Sequence, residues 1–417
     1  MSQNVENNHM VSDKDSPWTK RISMLLRKYL WEGQSLHKSV KVSVEENDSW
    51  RKKMMILHRR VIGIAIPFFI CQITWWCLAI KHDYFSLFPD RYIMTLTMIL
   101  GATVAGMTSE GGGAVAFPVM TLALKIDPKV ARDFSLMIQS VGMTCASFTI
   151  FWMKIKLEYH SIIFCTLGSS FGMVFGLEVF DSMLSPPVKK LGFVCIWFSF
   201  AFALFLLNIN HKRKTYNAIP NFGIWQACVL TVVGFFGGIF SAIAGSGVDI
   251  CSFSILSLLF RVSEKISTPT SVVLMAANSI VGTFWRNFMM DGGAEIEAKN
   301  YMAVCVVVVT FFAPLGSILS SHFHRHILAS LIYILDTIAL VSALVIIPMT
   351  QTHIILCVSI LLLGFIFFYV LSFLGSKLLE RQIQRENEEA AILPIASSIE
   401  NNDPSIHYSN ATLSSIL

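Results

Sequence analysis

Residues 101 to 124 read GATVAGMTSEGGGAVAFPVMTLAL, and residues 234 to 260 read GFFGGIFSAIAGSGVDICSFSILSLLF. Each is an apolar stretch interrupted by glycine. Each resumes as a piece, residues 114–124 and 248–260, shorter than the roughly 20 residues needed to cross a bilayer. About thirty residues after each comes an amide and a serine in an otherwise apolar helix, Gln139-Ser140 within LMIQSVG and Asn278-Ser279 within LMAANSIVG. A helix broken at corresponding places in two halves of a membrane chain is the pattern of a transporter's substrate site.

The surroundings are membrane throughout. Apolar residues make up 54% of the 417 and charged residues 14%, with a mean hydropathy of +0.61, where a soluble domain carries roughly 25% charge. Apolar runs lie near 61–80, 92–107, 134–153, 160–180, 191–208, 223–244, 269–288, 301–320, 328–347 and 353–375. The fold class expected is all-α and polytopic, with two related repeats, each containing a glycine-broken or re-entrant helix. The segments are a polar N-terminal tail (1–60), an additional first span and loop (61–91), repeat one (92–208), a basic loop (209–222), repeat two (223–347), a last span (348–375) and a polar C-terminal tail (376–417).

Several function classes recede on composition. The first apolar run starts after residue 60 and is long enough to remain in the bilayer, so it reads as a signal anchor rather than a cleaved signal peptide. All nine cysteines lie in apolar segments as small packing residues, which gives no disulfide framework and no metal site. The net charge of +5 comes largely from membrane-flanking clusters such as Arg51-Lys52-Lys53 and Arg59-Arg60, which speaks for orientation and not for nucleic acid. No cofactor is implied; the tryptophans at 75, 76, 152, 197, 225 and 285 suit spans and interfaces.

The basic cluster before the first span places the N-terminus in the cytoplasm. Whether each broken segment crosses once or returns as a hairpin is not decided by loop charge. Lys125, Lys129, Arg132, Lys189 and Lys190 stand against Lys154, Lys156, Lys212, Arg213 and Lys214, five against five. The hairpin alternative makes the loop His211-Lys212-Arg213-Lys214 cytoplasmic and gives two halves of inverted topology. Either way the C-terminus is cytoplasmic, and the sequons at Asn47 and Asn410 should remain unglycosylated.

Main chain that leaves the helix at membrane depth has polar groups that only protein or a water-filled cavity can satisfy. Gly111, Gly112, Gly113, Gly245 and Gly247, with Ser246 between the last two, are therefore candidate substrate ligands through their amides. A restarted half-helix also turns the positive end of its dipole toward an anion, and Pro118 suits its first turns. Gln139, Ser140, Asn278 and Ser279 complete the candidate set, with Thr144 and Thr283 nearby, because a primary amide in hydrocarbon needs partners. Close helix packing is the bland account of the glycines, yet it leaves a triple glycine before a half-length apolar piece unexplained.

Glu110 and Asp249 border the two breaks and are candidate proton-coupling acids, since a carboxylate inside a membrane is costly when charged; the alternative is that they cap a half-helix. Asp336 reads as a structural acid satisfied by a neighbouring helix, with a gating role as the sharper alternative. Glu178 reaches an interface, Arg286 snorkels from a span end, and His322, His324 and His326 form a basic membrane-flanking turn rather than a metal site.

Taken with Gly106 through Pro118 (GMTSEGGGAVAFP), Ser241 through Asp249 (SAIAGSGVD) and the two amide-bearing helices, the chain resembles the TauE/SafE sulfite exporter family over roughly residues 92–347. The resemblance implies a secondary transporter of small anions such as sulfite, sulfonates or related organic acids, coupled to a proton or cation gradient. The chain departs from the pattern in its sparse second glycine cluster, which lacks a proline, in its extra first span and long tails, and in the acids Glu110 and Asp249. Either Gly245 or Gly247 can pair with Gly111. Two other readings stand beside it: an intramembrane enzyme using acidic residues, and a non-transporting receptor or scaffold. The expected partners are a small anionic solute, the bilayer and a coupling proton or cation.

Overall fold

The structure, a computed structural model, describes residues 58–180, 183–209, 215–323 and 325–402. Helices α1 (Arg59–His82) and α2 (Phe88–Met107) precede the first break; α3 (Gly113–Pro118) follows it and widens into a π-helical turn, Val119–Ala123. Then come α4 (Pro128–Trp152), α5 (Tyr159–Phe175, with a π-turn to Phe180) and α6 (Pro186–Ile209). Again a long helix, a short one and three long ones follow: α7 (Ile224–Ala244), the short α8 (Val248–Ser254, with a π-turn to Leu259), α9 (Glu264–Phe284, with a π-turn to Met289), α10 (Ile296–His322) and α11 (Arg325–Ile346). Helix α12 (Gln351–Asn402) closes the described chain.

Among the described residues there is no strand, and eight helices are long and apolar enough to cross a membrane. All ten apolar runs fall on helices, but those of α2 and α9 are outside the eight. Helix α2 has the charged Asp90 and Arg91 at its start and buries small and sulfur-bearing residues such as Met94, Met98, Ala102 and Gly106. Helix α9 carries the buried Ser267, Thr268, Thr270, Ser271, Asn278 and Ser279. By contrast α1 and α12 expose Phe69, Ile73, Ile80, Leu363, Ile366 and Tyr369, as helices against lipid do.

The helices pair across the middle of the chain. The most extensive pairings are α5 with α7 and α2 with α10, followed by α10 with α4, α4 with α9, and α6 with α12 and α11. Small residues permit the closest of these. Gly168 and Gly172 of α5 face the backbone of Thr231 and Phe235, while Gly234 and Gly238 of α7 face that of Cys165 and Ser169. Gly106 and Gly316 do the same for α2 and α10. Without a hydrophobic drive between helices in lipid, such close backbone contact is a main source of association.

Each broken segment doubles back. A Cβ on Gly101 would lie 3.5 Å from Val115, and one on Gly237 would lie 3.2 Å from the Cβ of Cys251. Each pair is fourteen positions apart in the chain, which a continuous helix would separate by about 21 Å. The half-helices α3 and α8 therefore return alongside α2 and α7, and both segments are hairpins.

Helix α12 continues to Asn402, past residue 375 where the sequence suggested a tail. The added stretch is rich in Glu, Arg, Gln and Ala, which are strong helix formers. The N-terminal tail, both sequons, the loop His211–Lys214 and His324 lie outside the described residues.

Candidate functional site

The two hairpin tips meet. Gly111 has φ +66°, and a Cβ there would stand 2.5 Å from Asp249 Oδ2, 2.8 Å from Gln139 Oε1 and 2.9 Å from Ser246 Oγ. Gly113 is walled by Ser246 Cβ at 2.8 Å and Gln139 Nε2 at 3.1 Å, whereas Gly112 has nothing nearer than 3.6 Å. Gly245, with φ +84°, ends α7 and lies against Ser135 and the carbonyl of Arg132 on α4. The main chain at 111 and 245 is left-handed, which glycine adopts without the penalty a Cβ imposes.

Helix α4 presents the face that receives both tips. Arg132, Ser135 and Gln139 recur at i, i+3 and i+7, on one side of a helix. The Gln139 amide donates from Nε2 to the carbonyl of Gly245 at 2.8 Å, and Ser246 Oγ donates to the carbonyl of Glu110 at 3.0 Å. These two bonds satisfy carbonyls of the turns and hold the tips together. Gly111, Gly113, Gln139, Gly245 and Ser246 are thus brought into one buried cluster, with Asp249 at its side.

Gly247 is packed against Phe240 and Ser241. It serves the return of the chain rather than facing the other tip. Ser140 donates to the carbonyl of Met137 and Ser279 to that of Met275, each within its own helix, and Ser140 is only partly buried. Asn278 is fully buried, and neither its amide nitrogen nor its oxygen bonds to any protein group. Ser109 Oγ, Ser135 Oγ and Gln139 Oε1 share that condition. Sealed, unsatisfied polar atoms are unusual in a native interior and require an explanation.

The two acids differ in their surroundings. Asp249 accepts from Ser246 Oγ at 2.8 Å and from the amide of Ile250 at 3.0 Å, while Ser241 Oγ accepts from the amide of Val248 at 3.1 Å. Two amides at the start of α8 are therefore taken up by side chains, one from its own Asp249 and one from Ser241 of α7, where the sequence reading had open amides. Glu110 is fully buried, and neither carboxyl oxygen has a donor among basic, amide or hydroxyl groups. Its carboxyl instead lies within hydrogen-bond reach of Asp336, from α11, which is also buried. The neighbour that meets Asp336 is thus another acid. The amides of Gly111 and Gly112 have no bonded partner among the described residues.

Basic groups stand to one side. Arg286 does not snorkel: it is buried and its Nε donates to Asp133 at 3.1 and 3.3 Å. Arg132 donates to the same carboxylate at 2.6 and 3.0 Å. Sequence reading missed this Asp133, which lies at the beginning of an apolar run. The cue it left was a charge pair, Arg132-Asp133, at the start of a helix that is otherwise Leu, Met, Ile and Val. Glu178, expected at an interface, accepts from Trp285 Nε1 at 2.7 Å.

Two hairpins meeting tip to tip inside a helical membrane bundle, with unsatisfied polar atoms around them, define a membrane transporter by architecture. A family profile described as Sulfite exporter TauE/SafE matches residues 93–347, and the chain belongs to that family. It is accordingly an integral multi-pass transporter of the anion-exporter type and not an enzyme. No curated protein and no solved structure was found to match it.

Proposed function

We propose that the chain is a secondary transporter of small anions, of the size and chemistry of sulfite or a sulfonate, whose site is the junction of the two hairpin tips. The observation that carries this reading is the meeting of Gly111, Gly113, Ser246 and Gln139 at one buried point. An anion held there would take hydrogen bonds from the amides of Gly111 and Gly112 and from Ser109, with Asn278 and Ser279 completing the wall. Donors of this kind bind a negative solute without a fixed positive charge. The two hairpins and the helices after them form two related halves of inverted orientation, with the site between them.

Coupling to protons follows from the charges in place. Asp249 already occupies the donors of the second tip, so an incoming anion meets a carboxylate in the position it would itself take. Glu110 and Asp336 present a further carboxyl pair beside the first tip. Two carboxyl groups in contact cannot both be charged without a large electrostatic cost, so such a pair holds a proton. Proton uptake at Glu110 or Asp249 removes the repulsion and admits the anion; its loss drives the anion out.

Uptake of labelled sulfite and of methanesulfonate into proteoliposomes, with and without a pH gradient, tests the proposal. Saturable flux enhanced by the gradient is expected. Absence of flux together with no thermal stabilisation by any small anion would overturn it, because a ligand that binds the folded state raises its stability by mass action.

A further inference from the structure

A buried charged cluster lies beneath the second tip, where Gly245 packs on the carbonyl of Arg132. Asp133 lies between two guanidinium groups and is fully buried. Arg286 reaches it through Nε only. The two terminal nitrogens of Arg286 bond to no described residue, yet they are not sealed from solvent. A buried arginine is usually retained to satisfy its partner, and one nitrogen suffices for that here. The paired edge of the guanidinium is left over.

Helix register sets this edge nearer the ends of α4 and α9 than the residues of the junction. At the outer end of α4, Lys129 and Glu295 form a half-exposed pair at 3.5 Å, and the amide of Glu295 approaches Asp133 Oδ2 at 3.5 Å. With a rise of 1.5 Å per residue, Asp133 is about 6 Å inside that pair and Gln139 about 9 Å further in. On α9 the same sequence of depths is Asn278, Gly282 and Arg286, four positions apart on one face. The space beside Gly282 is filled by Met173 and Leu136, 2.9 and 3.2 Å from where a Cβ would stand. Arg286 therefore lies nearer the helix end than the unsatisfied amide of Asn278, with that apolar pair between them.

We propose that the terminal nitrogens of Arg286 are a docking site for the transported oxyanion, outside the hairpin junction, with Asp133 fixing the guanidinium so that its paired edge is presented. The ligand class is an anion that offers two oxygens in one plane, such as sulfite, a sulfonate or a carboxylate, since a planar fork binds such groups through two parallel hydrogen bonds. Asp133 is a positioning residue. This inference rests on the anion-transport reading above.

The test uses the full chain in proteoliposomes with sulfite as the probe, in the variants R286Q, R286K and the double D133N/R286Q. In R286Q Asp133 keeps Arg132 as its cation, so its carboxylate stays paired; the double variant removes that carboxylate as well and so separates an effect of Arg286 on the anion from one exerted through Asp133. Loss of a charge-assisted bidentate contact should raise the half-saturating sulfite concentration about tenfold or more in all three, with a smaller change in maximal rate. Wild-type half-saturation in D133N/R286Q would mean that Arg286 only neutralises Asp133, and full rescue by R286K would mean that a point charge suffices; either overturns the docking site while leaving the transport reading intact. A wild-type protein that neither carries sulfite nor is stabilised by it removes both.

Discussion

At the scale of single residues, the site depends on which glycine is replaced. Gly111→Ala places a methyl 2.5 Å from Asp249 Oδ2 in a left-handed backbone, and both faults act together. The conformation alone costs about 1–2 kcal/mol. The variant should lose at least tenfold in anion flux or fail to accumulate, while Gly112→Ala, whose Cβ meets nothing nearer than 3.6 Å, should retain flux within about twofold. Equal loss in both would show that the tip geometry does not matter.

The acids carry a prediction of opposite character. If protonation admits the anion, wild-type flux rises as pH falls, because the charged carboxylates that repel the solute become neutral. Glu110→Gln should flatten this profile, and Asp249→Asn should do so only in part, because its oxygens are engaged by Ser246 and Ile250 whereas those of Glu110 meet only another acid. Initial rates of sulfite uptake across pH 5 to 8 read the difference; unaltered profiles in both variants would remove the coupling role. Sequence alone named both acids and both tips, since glycine clusters and intramembrane carboxylates are conspicuous in an apolar chain. It did not assign them different tasks. Whether an acid caps its own helix or faces a second acid depends on contacts between helices far apart in sequence.

At the scale of elements, Gln139 is the strut between one helix and the opposite tip. Gln139→Leu keeps the volume but leaves the carbonyl of Gly245 without its donor. A buried polar group deprived of its partner costs about 1–3 kcal/mol, so the variant should unfold several degrees lower in a detergent melt, with flux reduced as well. An unchanged melting temperature would remove Gln139 from this role. The existence of every helix near the site was legible in apolar runs, and the half-length pieces after the breaks announced themselves by length. Loop charges balanced and left the doubling back open, with the basic loop at 211–214 and the inverted arrangement favouring it. What determines it is packing of Gly101 on Val115 and of Gly237 on Cys251, contacts in which small side chains permit a close return. The extension of α12 to Asn402 was hidden by reading polarity as absence of structure.

At the scale of the whole molecule, α7 is an arm of the second hairpin although it is among the eight candidate spans, and α9 stands outside them. With each hairpin returning to its starting side, crossings by α1, α4 to α6 and α9 to α12 make an even number, which predicts both termini on one side of the membrane. With the basic cluster at 51–60 placing the first in the cytoplasm, the sequons at Asn47 and Asn410 should migrate on a gel without a glycan-dependent shift. Glycosidase-sensitive mobility from either position would reverse the orientation.

Helix α1, which precedes the first broken segment, has bonds to both α4 and α10. Arg59 donates to the carbonyl of Trp152 at 2.7 and 3.1 Å, and Trp152 Nε1 donates back to the carbonyl of Arg59 at 3.1 Å, which fastens α1 to the far end of α4. Gln72 and Trp75 donate to the carbonyls of Val307 and Ala303 on α10 at 2.8 and 2.7 Å. A splint tied at three levels to both helices resists their sliding past one another. Rocking that exposes the solute first to one compartment and then to the other is expected along other seams, with α1, α4 and α10 moving together.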